Sequence, residues 1–367
     1  MAISQRYRLI SLGPSNGDLC RSSIQLHGSF SWWYADLTDG EGNGVVCIWS
    51  YGLPFLPGYA KSVRDGNSPA AESRPCLVVS VYREGREWFY LMSELSTDEC
   101  EWGDDSWRFG RSRFLLDRAG RLDAHIDMDI PGTPDRFQAT MTLNGCIRQS
   151  SAEEARSVVH TWEPVLLGKV TGSFSGGVSD TQLSFTGRGY HDRNGGNCGM
   201  HELGIERWRW MRLSMPERDI VLYLLDPESG QDSVLLAYEI DAQGQMSERV
   251  VRSVRHTRLK WSWMGPRWPE RTNVELEGME PIEVTHTHLV DSGPFYQRSL
   301  VAASMGGEQG FGIAELVLPN QIDLDRHRWL VNMRVHQSSH QNSMWLPLFS
   351  GLKKGRWTRL FTQYGEP

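Results

Sequence analysis

The sequence lacks several features by which common classes of protein are identified. It contains no run of about 18 apolar residues, so it predicts no membrane-spanning helix. Residues 1–11 include Arg6 and Arg8 but no apolar segment, which argues against a cleaved signal peptide. The six cysteines are far apart and form no Cys-x-x-Cys pair, which argues against a zinc site. We therefore expect a cytoplasmic protein with free thiols.

A concentrated basic surface is also missing. The formal net charge is −7, and the densest basic group is the short stretch at residues 353–356. Because nucleic-acid binding requires clustered lysine and arginine side chains, we expect no nucleic-acid partner. The overall charge likewise provides no general attraction to anionic lipid.

Segments with helical periodicity are scarce, whereas strand-forming segments separated by tight turns are frequent. Residues 29–36 and 45–51 flank a glycine-rich turn and predict a β-hairpin. Further strands are predicted along the chain, the last of them at residues 329–336. This pattern predicts an antiparallel all-β fold whose sheets close into barrels or pack as sandwiches.

The length of 367 residues suggests two domains. We predict two tandem antiparallel β-barrels, one in residues 1–205 and the other in residues 206–367. No Pro/Ser-rich linker occurs near the junction, so we expect the two barrels to pack tightly against each other.

Fifteen tryptophans are an unusually large number for a chain of this length. They suit a pocket for a large apolar ligand, and they suit the packed interior of a barrel equally well. Residues 53–59 form an apolar segment in which Pro54 and Pro57 exclude a central strand. We expect a loop that lines the mouth of a pocket, dips into lipid or packs in the ordinary way.

The chain is organised around residues 185–196, which have the pattern of a strand running into a glycine-rich loop. Gly187 and Gly189 interrupt this strand, which predicts a bulge or a close approach by another backbone. Tyr190 and Asp192 are two residues apart, so in an extended chain they point to the same face.

A second pair with the same spacing, His160 and Trp162, lies further upstream. If both segments are strands, an acid, an imidazole, a phenol and an indole can meet in one apolar pocket. Simpler interpretations remain open. Residues 192–195 are typical of a turn, and His160 and Trp162 are residue types that also occur as ordinary members of a core.

Six segments, in this order, resemble the carotenoid 1,2-hydratase family. That family belongs to a wider group of paired lipocalin-like barrels, which also includes AttH-type proteins and several natural-product pericyclases. Gly195 and Gly196 differ from the Ala-Gly or Trp-Gly that relatives often carry, which leaves the loop shape and the substrate open. The six segments are residues 31–36, 160–162, 187–194, 207–210, 294–299 and 329–334.

The resemblance implies two tandem lipocalin-like barrels and a catalytic set of four residues. His160 and Trp162 match the family's His-x-Trp motif, and Tyr190 and Asp192 match its Tyr-x-Asp motif. The implied reaction adds water, without a cofactor, across the terminal C1–C2 double bond of an acyclic carotenoid of the lycopene or neurosporene type. We expect the substrate-binding residues to be Trp33, Tyr34, Trp208, Trp210 and Tyr296.

These residue types suit the hydration of an isolated alkene. A carboxyl group can protonate an alkene only if it stays protonated at neutral pH, and burial raises its pKa, so Asp192 is the expected proton donor. The rings of Trp162 and Tyr190 would stabilise the tertiary carbocation, by about 2 kcal/mol or more each when desolvated. His160 would orient the water and deprotonate it. No step requires a metal, and we predict no metal site.

Two other functions remain open. A pericyclase or cyclase on the same scaffold would fold a polyene by the shape of the cleft, and a lipid carrier would bind its ligand unchanged. Because a carotenoid dissolves in the bilayer, we expect peripheral contact with the inner membrane.

Overall fold

A computed structural model of the protein describes residues 11–12, 24–148, 160–228, 232–262, 265–338 and 341–362. The strands found there are numbered in chain order and account for most of the described residues. They are β1 Ser11–Leu12, β2 Phe30–Thr38, β3 Gly44–Tyr51, β4 Pro75–Arg83, β5 Arg86–Glu94, β6 Cys100–Trp102, β7 Ser106–Phe109, β8 Ser112–Leu116, β9 Arg121–Asp129, β10 Arg136–Ile147, β11 His160–Val178, β12 Thr181–Gly196, β13 Ile205–Ser214, β14 Arg218–Pro227, β15 Val234–Asp241, β16 Met246–Arg249, β17 Val251–Lys260, β18 Trp268–Leu276, β19 Ile282–Ser292, β20 Tyr296–Met305, β21 Glu308–Val317, β22 Val335–Gln337 and β23 Gly351–Leu352.

Helices are short and lie between or after the strands. The α-helices are α1 Tyr59–Arg64, α2 Asp325–Asn332 and α3 Arg356–Thr362, and single 3₁₀ turns occur at Ala71–Ser73, Thr97–Glu99, Met200–Leu203, Pro319–Gln321 and Leu346–Leu348. Among the described helices, none is both long enough and apolar enough to cross a bilayer.

The strands form two curled sheets, which confirms the predicted all-β, paired lipocalin-like fold. The first sheet has the order β22-β5-β4-β3-β2-β12-β11-β10-β9-β8-β7-β6, with β1 added to β11 and β23 added to β5. The second has the order β16-β15-β14-β13-β21-β20-β19-β18-β17. The chain passes from the first sheet to the second between Gly196 and Ile205, close to the predicted junction. The strands β22 and β23 depart from the predicted division, because they return to the first sheet.

The prediction of a strand at residues 329–336 is wrong for residues 329–334, because 329–332 complete helix α2 and 333–334 form a turn. Strand propensity is weak compared with packing, and here the helix covers a cavity with Leu330 and Val331 while Trp329 faces solvent. Asp325 in the first turn favours the helix through its dipole. Only Val335–Gln337 pairs as a strand, with β5.

The apolar segment at residues 53–59 packs within the protein. Leu53, Leu56 and Tyr59 are buried, and the ring of Phe55 lies 5.5 Å from that of Tyr296. Of the alternatives predicted for this segment, the structure therefore shows a packed loop that also lines a pocket.

The buried apolar residues form three clusters, which explains where the site lies. One cluster fills the concave side of the first sheet, around Trp33 and Trp49, and another lies within the second sheet. The third lies between the sheets, because it combines Tyr34 and Trp162 of the first sheet with Trp208 and other residues of the second. A cleft between the sheets is therefore walled by aromatic side chains from both.

An ion pair that is fully buried joins the two sheets beside this cleft. Arg212 of β13 donates to Asp36 of β2, and both side chains are inaccessible to solvent. At the rim, Arg188 of β12 contacts Asp219 of β14 at 2.7 Å. These pairs fix the relative position of the sheets, because separating either one would leave a buried charge without its partner.

Candidate active site

Strand β12 carries the central residues and pairs with β11 on one side and β2 on the other. Its register sets Asp192 opposite Pro164 of β11 and opposite Tyr34 of β2. The predicted close approach occurs at Gly187, where a Cβ atom would lie 2.2 Å from the carbonyl oxygen of Thr38. Bulky residues at that position would push the two strands apart.

Three neutral donors surround the carboxyl group of Asp192. The indole Nε1 of Trp162 lies 2.9 Å from Oδ2, and the hydroxyl of Tyr190 lies 2.9 Å from the same oxygen. The amide Nδ2 of Asn194 lies 3.0 Å from Oδ1. The Trp162 indole is also 3.0 Å from the Tyr190 hydroxyl, so the group forms a closed network. The acid, the phenol and the indole predicted from the two motifs are therefore in direct contact.

Asp192 is almost completely buried, with 2% of its surface exposed. Burial raises the pKa of this carboxyl to about 8, and the hydrogen bonds from Tyr190 and Trp162 offset only part of that rise. The negative charges of Glu315 and Asp36 raise the pKa further. At neutral pH the carboxyl is therefore mostly protonated, which is the state required of a proton donor.

The imidazole of His160 lies behind Asn194. Its Nε2 is 3.1 Å from Asn194 Oδ1, and its ring packs against Phe30, Trp32 and Trp208. Burial lowers the pKa of His160 to about 4, so the ring is neutral at physiological pH. The fourth motif residue thus joins the network through Asn194 and does not touch Asp192.

A cavity with about 560 Å³ of empty space lies between the sheets and reaches Asp192. Its walls are mainly aromatic and aliphatic, and its polar side chains include Asp192, Asn194 and Glu315. The lining residues are Trp32, Tyr34, Ile48, Leu53, Phe55, Asp192, Asn194, Met200, Trp208, Trp210, Tyr223, Tyr296, Glu315 and Val317.

A second cavity adjoins the first. The two share four wall residues, Ile48, Leu53, Phe55 and Tyr296. Beyond it, a third depression shares Leu330 and other wall residues with the second and is lined by several charged side chains. A long apolar ligand could therefore extend from Asp192 past the Phe55–Tyr296 contact towards the surface.

The structure places four of the five predicted substrate-binding residues on the wall of the first cavity: Tyr34, Trp208, Trp210 and Tyr296. The fifth, Trp33, is a correction, because it lies on the other face of β2 against Trp49 and Trp107. Side chains alternate along a strand, so Trp33 and Tyr34 cannot both face the cleft. Trp32 occupies the cavity wall in its place.

The geometry also changes the catalytic roles that are open to Trp162 and Tyr190. Both were expected to present their rings to a carbocation, but neither lines the cavity, and each directs its polar atom at Asp192. The exposed ring faces of the cavity belong to other residues, among them Trp208 and Trp210.

Among the polar residues of the site, sequence reasoning missed Asn194, Tyr223 and Glu315. Asn194 could have been found, because it continues the alternation of Tyr190 and Asp192 along β12. Tyr223 and Glu315 belong to strands of the second sheet, and no local motif marks them. Only the packing of one sheet on the other brings them to the cavity.

These features define the class of protein as paired lipocalin-like, since two curled antiparallel sheets pack together. The cleft that they enclose is aromatic and has a carboxylic acid in its wall. A solved structure described as AttH, from Nitrosomonas europaea, superimposes with a TM-score of 0.57 and 15% identity, covering 79% of this chain and 92% of that one. A structure of CghA with Sch210972 has a TM-score of 0.54 and 11% identity, covering 80% and 88%. At these identities the likeness concerns the fold alone.

The chain belongs to the carotenoid hydratase CrtC family, whose model matches residues 48–342. A protein named hydroxyneurosporene dehydrogenase, from Chlorobaculum tepidum, is 27% identical over 349 residues, which cover 87% of this chain and 90% of that protein. The family resemblance predicted from the sequence motifs is therefore confirmed.

Proposed function

We propose that this protein is a cofactor-independent hydratase that adds water to the terminal C1–C2 double bond of an acyclic carotenoid. Membership of the carotenoid hydratase family supports the substrate class. The observation that carries the reaction type is Asp192, a buried and mostly protonated carboxyl group in the wall of an aromatic cavity. An acid of this kind is what the protonation of an unactivated alkene requires.

In the first step Asp192 transfers its proton to C2 of the alkene, which leaves a tertiary cation at C1 and a carboxylate at Asp192. The donors Trp162, Tyr190 and Asn194 then bind a carboxylate. Hydrogen bonds to a charged group contribute about 1.5–3 kcal/mol each. Because these bonds strengthen as charge develops, they stabilise the transition state more than the ground state.

The cation is stabilised by ring faces that line the cavity. Trp208, Trp210 and Tyr296 lie on its wall together with Trp32 and Tyr34. Each desolvated aromatic face contributes about 2 kcal/mol or more to binding a cation, and none of these rings traps it as a nucleophile would. Water then adds at C1 and gives a tertiary alcohol.

In this scheme His160 is a positioning residue that acts through Asn194. Its neutral imidazole binds the amide of Asn194, which in turn binds Asp192. This chain of contacts holds the carboxyl group towards the cavity, so loss of the imidazole should misalign the acid. The earlier expectation that His160 itself deprotonates the water stays a prediction.

The adjoining cavities suit a long polyene. The terminal alkene would occupy the first cavity beside Asp192, and the rest of the chain would pass Phe55 into the second. The walls of both are largely apolar, which matches a hydrocarbon that forms few hydrogen bonds.

Peripheral contact with a membrane is part of the proposal, because the substrate dissolves in lipid. Trp329 and Trp357 are 55% and 68% exposed, and each neighbours a residue, Leu330 or Arg356, that lines the outermost depression. Exposed tryptophans favour the membrane interface.

Replacing both Trp329 and Trp357 by serine should reduce co-sedimentation with vesicles of mixed neutral and anionic phospholipid. The matched control is Trp261→Ser. Trp261 is 73% exposed, and it directly follows strand β17 of the second sheet. Equal binding by all variants would contradict this part of the proposal.

The proposed reaction is tested with purified protein, lycopene or neurosporene in detergent, and mass spectrometry of the product. Hydration increases the mass by one water, cyclisation leaves it unchanged, and dehydrogenation removes two hydrogens. A carrier returns the substrate unaltered. Asp192→Asn should abolish hydration while the near-ultraviolet circular dichroism of the folded protein persists. Wild-type turnover in that variant would refute Asp192 as the acid.

A further inference from the structure

We propose that Glu315 is the catalytic base that removes the proton from the attacking water, so that an acid on one sheet and a base on the other act across the cleft. This inference rests on the proposed hydration and adds a residue of the second sheet, Glu315 of β21, to the catalytic set. Glu315 is thus an alternative to His160 for this step, and it lines the cavity, whereas His160 is not among the lining residues.

Glu315 and Asp192 line the same cavity from opposite sheets. Both side chains line the first cavity, although Asp192 belongs to β12 and Glu315 to β21. The register of the second sheet sets Glu315 opposite Trp210 on one side and Arg298 on the other. Its side chain is 14% exposed.

A guanidinium group holds one oxygen of the Glu315 carboxylate and leaves the other oxygen available. Arg298 Nε donates to Glu315 Oε1 at 2.7 Å, and Arg298 is itself only 2% exposed. Arg298 also donates to the hydroxyl of Tyr82 at 2.7 Å and packs against the Tyr296 ring. Within the described residues no hydrogen bond engages Glu315 Oε2, so this oxygen can accept one from a water molecule.

The surroundings of the two carboxyl groups differ in the way that separates an acid from a base. Asp192 receives hydrogen bonds from neutral donors, and among the described residues it has no cationic partner, which favours its protonated form. Glu315, by contrast, is paired with the guanidinium group of Arg298. When environments set two titratable groups apart in this way, one can act as acid and the other as base.

The proton and electron balance of the step is complete. Asp192 gives its proton to C2 and becomes a carboxylate, while the cation forms at C1. A water oxygen forms the C1–O bond, and one of its protons passes to Glu315 Oε2. Afterwards Glu315 releases that proton to solvent water and Asp192 takes one up, so each turnover consumes one water and leaves both residues as they began.

The test compares Glu315→Gln with Glu239→Gln, each in the full-length protein. Glu239 is a suitable control because it is 13% exposed, pairs with Arg218 and Arg249, and lies outside the cavities described above. Reactions run in heavy water report two steps separately. Deuterium at C2 of unhydrated polyene reports protonation followed by loss of a proton, whereas alcohol formation reports capture of water.

Glu315→Gln should form alcohol about 100-fold more slowly or worse, since general base catalysis contributes about 10²–10⁴-fold. It should still place deuterium at C2 of unhydrated polyene, either as the original alkene or as its terminal-methylene isomer. Glu239→Gln should behave like the wild type in both readouts. If Glu315→Gln hydrates at the wild-type rate, or loses alcohol formation and deuterium incorporation together, Glu315 is not the base.

A second variant covers the case in which Glu315→Gln does not fold because Arg298 loses its counter-charge. Glu315→Asp keeps the charge and draws it back by one methylene, so it should slow alcohol formation at least about tenfold while deuterium incorporation persists. An unchanged rate of alcohol formation would overturn the proposal. Failure of the wild-type protein to form alcohol at all would instead refute the proposed function, so the two failures are distinct.

Discussion

The rate of water addition is expected to fall as pH rises through about 8, because only protonated Asp192 can supply the proton. Burial raises the pKa of that carboxyl to about 8, so at pH 7 its protonated form exceeds the ionised form by about ten to one. Well above pH 8 the rate should decrease about tenfold for each further pH unit. His160 does not add to this limb, because burial lowers its pKa to about 4.

The assay is kcat/KM for an acyclic carotenoid in detergent, measured from about pH 6 to about pH 10, because this parameter reports the ionisation of the free enzyme. Circular dichroism at each pH separates loss of activity from loss of fold. A rate that is constant or increases across this range would refute the reasoning, because it would mean that the proton does not come from a carboxyl with a raised pKa.

The same shift predicts how stability depends on pH. The Asp192 carboxyl has an ordinary pKa of 3.8 in the unfolded chain and about 8 in the folded protein. Between these values the folded protein holds a proton that the unfolded chain has lost, so stability decreases as pH rises. At about 1.4 kcal/mol per unit, this group alone lowers the free energy of unfolding by roughly 6 kcal/mol from pH 4 to pH 8.

Asp192→Asn removes this pH dependence. The free energy of unfolding of the variant minus that of the wild type should therefore increase by several kcal/mol from about pH 5 to about pH 8. Asp36, whose pKa burial raises to about 6, titrates in both proteins and cancels from the difference. Urea denaturation at the two pH values measures the effect. Parallel changes in both proteins would show that Asp192 does not carry the proton.

Three further predictions concern the surroundings of the acid. Trp162→Phe removes a donor to ionised Asp192, so kcat should fall about 10–100-fold and the limb of the pH profile should move to higher pH. Arg212→Met leaves Asp36 unpaired in the interior and should cost about 3–5 kcal/mol in urea denaturation, with recovery in the Asp36→Leu/Arg212→Met double variant. Phe55→Trp narrows the junction of the two cavities, so it should raise KM for a long polyene and leave KM for a short prenyl alcohol unchanged.

Much of the site follows from the two-residue period of a strand. Spacing alone brought Tyr190 and Asp192 to one face, and His160 and Trp162 to one face of the neighbouring strand. The prediction for Trp33 was wrong because it ignored the same period, which assigns adjacent Trp32 and Trp33 to opposite faces of β2.

What the sequence could not provide is the pairing of distant segments. Glu315 reaches the cavity because β21 lies between β13 and β20, and because the second sheet packs on the first. No periodicity within β21 marks this carboxylate as different from other acidic residues on strands. Helix α2 was missed for a related reason, since its apolar residues cover a cavity that exists only after both sheets have formed.

The position of arginine side chains explains which carboxyl group near the cleft can serve as the acid. Asp36 pairs with Arg212, and Glu315 pairs with Arg298, so each has a cation as its partner. Within the part of the chain that the structure describes, Asp192 receives hydrogen bonds from neutral donors only, and burial raises its pKa further than that of Asp36. Neutral donors orient a carboxyl group without stabilising its charge as strongly as a guanidinium does. The fold therefore keeps one acid protonated by burying it beside neutral donors, where its ionised form is poorly solvated.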